Sequence, residues 1–235
     1  IDIAFLNSLG IVTSNLSSAA VKIYGNGGAM LPESANGAKP DDLTENAIAV
    51  IDGGDGVING ADYILLYAAG PNEWVKDSAN KRFNFRKNLY SDNSFYYITI
   101  GAGGKRVSSS VVNSPASLVI NSFNERVHHE LDTVNFLGSG KEWHGEEFAN
   151  IPGRTTTRDF NVTIPGLQLT QPVTVISNCI ARSSGSSSRF EVKVNGLPVQ
   201  SLMIPGTGGG QYDLFAQQVL LVSGASVSQN NLVVN

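Results

Sequence analysis

The sequence predicts a mainly β protein, in which a mixed β domain with short helices precedes a jelly-roll-like β-sandwich. Three observations predict it. Charged residues make up 15% of the 235 residues, against roughly 25% in an average soluble domain. Their place is taken by 25 glycines, 25 serines and 22 asparagines, an exchange that disfavours long solvated helices, whose outer faces need Glu, Lys and Arg. The second observation is regular punctuation by Asn-Gly and Asp-Gly, at Asn26, Asn36, Asp52, Asp55, Asn59 and Asn195. These pairs tolerate positive φ and suit tight hairpins. The third is the set of short runs between them, rich in Val, Ile, Phe and Tyr and too short for stable helices.

In chain order, residues 2–9 predict a two-turn helix stopped by Gly10. Strands are expected at Val21–Tyr24, Ala47–Ile51, Asp62–Ala68 and Ser94–Ile100. Gly101–Arg106 reads as a hairpin loop. Phe123, Val127, Leu131 and Val134 then recur at helical spacing, which predicts a helix over 123–137, with a strand in its first half as the alternative. Gly138-Ser139-Gly140 divides the chain into a mixed β domain, 1–138, and a sandwich, 139–235. In the latter, strands are expected at Arg158–Ile164, Val173–Arg182, Arg189–Val194 and Gln217–Val222, with loop tips at Ser183–Ser188 and Gly206–Gly210.

A net charge of −4 and a pI near 5.3 argue against nucleic acid as a partner, because phosphate-binding surfaces concentrate positive charge. No run of about 18 apolar residues predicts a membrane span. A single Cys makes an intrachain disulfide impossible. The chain starts at Ile1 without a signal-peptide pattern, and is expected to be a mature or excised piece of a longer polypeptide.

Five constellations deserve weighing for chemistry. Cys179 lies inside Val173–Arg182, where a thiol is a small core hydrophobe of raised pKa rather than a nucleophile. A helical 123–137 would set His128 and Asp132 on one face, and His144 with Glu146 or Glu147 would complete a divalent-metal site. That cluster lacks the spacing of a metalloprotease helix, and no metal is assigned. Asp52 to Asp62 has the oxygen richness of a calcium loop without its acidic spacing, so it reads as a turn between strands. Gly101–Arg106 precedes no helix and lacks the Lys-Ser or Lys-Thr ending of a phosphate loop. Trp74, Tyr90, Tyr96, Tyr97 and Trp143 are either core aromatics or an exposed binding platform, and in β domains the core role is the commoner one. No catalytic, metal or cofactor-binding residue is assigned, and no cofactor is expected.

Three stretches together resemble a known family. Asp62-Tyr63-Ile64-Leu65-Leu66-Tyr67-Ala68-Ala69-Gly70-Pro71-Asn72-Glu73-Trp74 is similar to its strand and turn "D-Y-I-x-F-Y-A-x-G-P-x-x-W". Asn88-Leu89-Tyr90-Ser91-Asp92 and Phe95–Thr99 resemble "N-x-Y-S-D-x-x-x-Y-Y-x-I-T". His129-Glu130, Asn135-Phe136-Leu137 and Ser139–Glu146 resemble "H-E…N-x-L-x-S-G-R-E-W-Y-G-E", with Lys141 and His144 in place of Arg and Tyr. The order matches the N-terminal region of PorU-type sortases of the Bacteroidetes type IX secretion system, which are gingipain-type cysteine peptidases. They remove C-terminal sorting domains from secreted cargo and attach the cargo to lipopolysaccharide. The resemblance implies a secreted, cell-surface or outer-membrane-associated protein whose catalytic Cys and His follow this region. This chain would then be non-catalytic. Its partners would be the peptidase domain of the same polypeptide and secreted cargo or an outer-membrane protein. The alternative is a freestanding adhesion or carbohydrate-binding β module, and a hydrolase using His128, His129 and Glu130 stands third.

Overall fold

The Asp2 carboxylate accepts the Phe5 N–H at 2.8 Å and so caps α1 (Ile3–Ser8), satisfying one of the orphan donors of a helix N-terminus. Gly10, at φ +78°, ends it, as the sequence predicts. In this computed structural model, which describes residues 1–109 and 115–235, the chain divides into two units, Ile1–Val119 and Ile120–Asn235. Both are built from short antiparallel sheets, so the mainly β fold class is what is observed. No helix among the described residues is long and apolar enough to cross a membrane.

The first unit contains β1 (Val21–Tyr24), β2 (Glu45–Asn46), β3 (Ala49–Ile51), β4 (Tyr63–Leu65), β5 (Glu73–Asp77), β6 (Arg82–Arg86) and β7 (Tyr97–Ile100). β1 pairs antiparallel with β2 on one side and β7 on the other, while β3–β4 and β5–β6 are two-stranded hairpins. Period-two alternation puts Val21 and Ile23 fully inside and leaves Lys22 and Tyr24 partly exposed. Leu6 of α1, Leu16, Ile48, Ile58 and Ile64 close the same core.

Packing requires a glycine at position 25. A Cβ on Gly25 would stand 2.6 Å from Tyr96 Cδ1 and 2.9 Å from the Phe95 carbonyl oxygen. Tyr96 is held there by its own hydroxyl, which donates to the Ala69 carbonyl at 2.9 Å. Gly25→Ala is therefore expected to cost about 2 kcal/mol, the usual penalty for forcing a methyl into a filled site. Urea denaturation checks it, and a loss below about 0.5 kcal/mol would mean that the start of β7 yields freely.

The Gly101–Arg106 segment corrects the sequence reading, because it does not close a hairpin. Gly101 and Gly104 donate to Ala20 and Ala19 carbonyls, and Arg106 forms a parallel bridge with Ile48. The backbone keeps its hydrogen bonds by running alongside existing segments, which glycine-rich chain allows at close range.

The second unit contains β8 (Phe160–Thr163), β9 (Val173–Ala181), β10 (Ser188–Val194), β11 (Leu197–Ile204), β12 (Gln217–Ala225) and β13 (Asn231–Val234). One sheet has the order β11-β10-β13-β8, and β12 pairs with β9. Val194, Ala225, Val227 and Leu232 form the core, with Val162, Val173, Val175 and Val234 packed on it, so both sheets contribute. Buried Gln200 on β11 donates through Nε2 to the Val175 and Leu221 carbonyls, tying β11 to both strands of the β9–β12 pair. Asn195 and Gly196 have φ of 51° and 81° and join β10 to β11 as the two-residue hairpin turn that the Asn-Gly pair predicts.

Residues 123–137 form no helix. Phe123 is 81% exposed and Val127 55%. A helix of this length stands only when its apolar stripe is buried, and this stripe is not. Instead Val134 and His144 exchange two backbone hydrogen bonds, 2.8 and 2.9 Å long. Gly138-Ser139-Gly140, at which the sequence reading divides the chain, lies at the tip of the loop they enclose, inside the second unit.

Candidate functional site

The segment that carries the candidate ligands is anchored by the Val134–His144 bridge. His129 Nε2 meets Glu146 Oε1 at 2.5 Å, and the imidazole lies against the Phe160 ring with centroids 4.8 Å apart. His128 Nε2 meets Glu130 Oε2 at 2.8 Å, two residues along its own chain. His144 packs edge-on to Phe136 at 6.4 Å, and its Nε2 is buried without a hydrogen-bond partner. Each histidine is thus bound into a different contact. Among the described residues no three His, Cys, Asp or Glu side chains gather as a metal ligand set. The shared helix face proposed for His128 and Asp132 does not exist, since 123–137 is not helical. Glu147 is drawn to Arg154, 2.7 Å away. What the geometry supports chemically is a set of clamps: His129–Glu146 fastens residues 129 and 146 beside β8.

Cys179 sits on the inward-facing side of β9 with Val173, Val175 and Ser177, opposite Val219 of β12. Burial pushes its thiol pKa up, the reverse of what a nucleophilic cysteine needs. The strand position is the expected one, while the residue is half-buried and not among the buried core residues.

In the Asp52–Asp62 loop each carboxylate is engaged by the loop itself. Asp52 accepts Gly54 N–H, Asp55 accepts Val57 N–H and the Asn59 amide, and Asp62 accepts Asn59 N–H at 2.7 Å. A hydrogen bond from the Ser18 side chain, then that from Gly54, lowers the Asp52 pKa. These are turn-forming bonds of Asx type, and the loop joins β3 to β4.

The aromatics divide. Trp74 packs edge-to-face on Phe85 across the β5–β6 hairpin, with centroids 5.2 Å apart, and Tyr96 is wedged over Gly25. Tyr90 is 84% exposed and Tyr97 56%. Trp143 lies in the second unit, so it is no part of the first unit's surface.

Two concavities lie among the described residues. In the second unit a cavity of about 260 Å³ is lined by Gly185, Ser186, Ser187, Gly206, Thr207 and Gly208, where the two glycine- and serine-rich loop tips meet and Ser184 bridges Thr207. It offers backbone groups and hydroxyls but no titratable side chain. In the first unit a cavity of about 340 Å³ surrounds the β5–β6 turn, lined by Lys76, Asp77, Ser78, Lys81, Arg82 and Phe83. The sequence reading passed over this cluster. The signal was present: five of the chain's 16 Lys and Arg residues fall between 76 and 87.

Asp77 organises that turn. Its Oδ1 accepts Asn80 N–H at 3.0 Å, and its Oδ2 accepts the Asn80 side-chain amide at 2.8 Å and that of Asn84 at 3.3 Å. The Asn80 side chain and then its backbone hold the Asp77 carboxyl below the usual aspartate range, with Asn84 and the Arg82 charge adding to the effect. A depressed pKa in the folded state favours folding above the unfolded value, and that contribution is lost as pH falls through the folded one. In an NMR titration Asp77 is expected to protonate below the unfolded value of about 3.9. A midpoint at or above it would contradict these bonds.

No family model matches the chain, and no curated protein matches it. Among solved structures, the crystal structure of dimeric latent PorU from Porphyromonas gingivalis superposes with a TM-score of 0.68 at 21% identity, over 92% of this chain. The chain has a PorU-like fold. It spans only 20% of the PorU chain, so the likeness concerns a portion of that protein. The stretches that resemble PorU-type sortases do structural work here. Asn88 donates its N–H to Asn72 Oδ1 at 2.8 Å and accepts the Tyr90 and Ser91 N–H groups. Tyr96 reaches Ala69, and His129 reaches Glu146. The Asn72–Asn88, Ala69–Tyr96 and His129–Glu146 pairs join residues 16, 27 and 17 apart in sequence that belong to those stretches.

Proposed function

We propose that this chain is the non-catalytic N-terminal region of a cell-surface, gingipain-type cysteine peptidase and sortase of the type IX secretion system. Its role is to support the peptidase domain of the same polypeptide, or to dock secreted cargo or an outer-membrane partner. The observation that carries the reading is the PorU-like fold over 92% of the chain, together with the ordered run of family-like stretches from Asp62 to Glu146. The inward placement and raised pKa of Cys179 agree with a chemistry located elsewhere in the polypeptide. A secreted, surface-held location follows from the same reading. Sequencing the coding region beyond Asn235 tests it: a peptidase domain with a Cys–His pair supports the proposal, and a stop codon there refutes it.

A freestanding carbohydrate-binding module is the second reading, favoured by the exposure of Tyr90 and Tyr97. It predicts saturable glycan binding that Tyr90→Ala and Tyr97→Ala weaken, whereas a supporting region predicts no such dependence.

A further inference from the structure

The β5–β6 hairpin is positive on a negative chain. Between residues 73 and 87 there are five basic and two acidic side chains, a net charge of +3, while the whole chain carries −4. Both acids are engaged. Glu73 pairs with Arg86 at the open end of the hairpin, and the Asp77 oxygens are taken by Asn80 and Asn84. Arg82 consequently reaches Asp77 only through Nε at 3.5 Å, beyond hydrogen-bond length, and that N–H is buried without an acceptor. The Lys76 and Lys81 side chains make no hydrogen bond or ion pair among the described residues. All three cations line one cavity of about 340 Å³ with Asp77, the exposed Ser78 and Phe83. Three cations against the one Asp77 carboxylate leave the concavity net positive, and such a lining focuses the field on an entering anion.

We propose that this cavity is a binding site for a phosphate- or sulfate-bearing ligand. Lys76, Lys81 and Arg82 supply the compensating charge, Ser78 supplies a hydroxyl donor, and the space beside Phe83 takes the organic part. The cavity lies within the size range of small-ligand pockets, roughly 300–1,000 Å³, and exceeds what a bare oxyanion fills. The proposal is independent of the sortase reading, because it rests on the charges of the hairpin alone.

The test is a ¹⁵N NMR titration of the 235-residue chain with inorganic phosphate and with inorganic sulfate, using chloride at matched ionic strength as the control. Saturable shifts confined to Lys76–Phe83 are expected, with a Kd of about 1–10 mM for the bare anion. The anion that binds more tightly identifies the source of the group. Lys76→Gln with Lys81→Gln, both exposed positions, is expected to weaken binding at least about tenfold while the amide spectrum elsewhere stays unchanged. A chloride response equal to that of phosphate and sulfate, no saturation, or undiminished binding in the double variant would overturn the proposal.

Discussion

Ile23→Ala is expected to destabilise the first unit by about 3 kcal/mol, the middle of the range for emptying a fully buried aliphatic site. Ile23 is 0% exposed and sits on β1, the central strand of its sheet, opposite Asn46 of β2 and Ile98 of β7. Its loss removes transfer free energy and leaves a cavity walled by side chains from α1, β3, β4 and the loops between them. The unit is about 119 residues long, so the thermal midpoint of its transition should drop by about 10 °C. Hydrogen exchange resolves the effect by segment. Amides of β1, β2 and β7 should lose about 3 kcal/mol of protection, and a loss under about 1 kcal/mol would mean that this core is loosely packed.

The same residue shows why part of the fold was legible. Val-Lys-Ile-Tyr alternates inward and outward with a buried face on one side only, and β1 was read from the sequence with its observed bounds. Asn195-Gly196 likewise announced its hairpin, because both residues must adopt positive φ there. Other strands were hidden by their chemistry. β11 contains Pro198, which lacks an N–H, yet it stands on the edge of its sheet and pairs where the ladder is bulged between Val192 and Lys193. There the missing donor costs little. β5 and β6 carry Glu73, Lys76, Asp77, Arg82 and Arg86, a composition that reads as a solvated turn. Their pairing comes from cross-strand contacts, Trp74 on Phe85 and Glu73 with Arg86, that no local window contains.

The expected helix over 123–137 fails for the complementary reason. Its periodicity was real, but periodicity specifies a helix only when another element covers the apolar stripe. The site residues follow the same logic. The strand that carries Cys179 was readable because Val173–Arg182 is β-prone throughout. His129 and Glu146 belong to one family-like stretch, but their clamp closes over 17 residues, a contact visible only once the Val134–His144 bridge has formed. The basic cavity depends on a turn that brings Lys76 and Lys81 around Asp77, and composition alone distributed those charges without placing them.

The largest functional effect is expected from removing the region as a whole. If residues 1–235 support a peptidase domain, that domain loses its folding partner when they are deleted, whereas the chemistry does not need Cys179. The direct measurement is cleavage of a cargo C-terminal sorting domain by the parent polypeptide in three forms: intact, Cys179→Ser, and lacking residues 1–235. The Cys179→Ser form should cleave within about twofold of the intact protein, since a Cys-to-Ser change at a half-buried strand position alters packing and leaves a remote nucleophile in place. The deletion should lower cleavage by at least about tenfold and reduce the yield of folded protein. Full cleavage by the deleted form, or abolished cleavage by Cys179→Ser in a protein that still folds, would contradict the proposal that this chain is a non-catalytic supporting region.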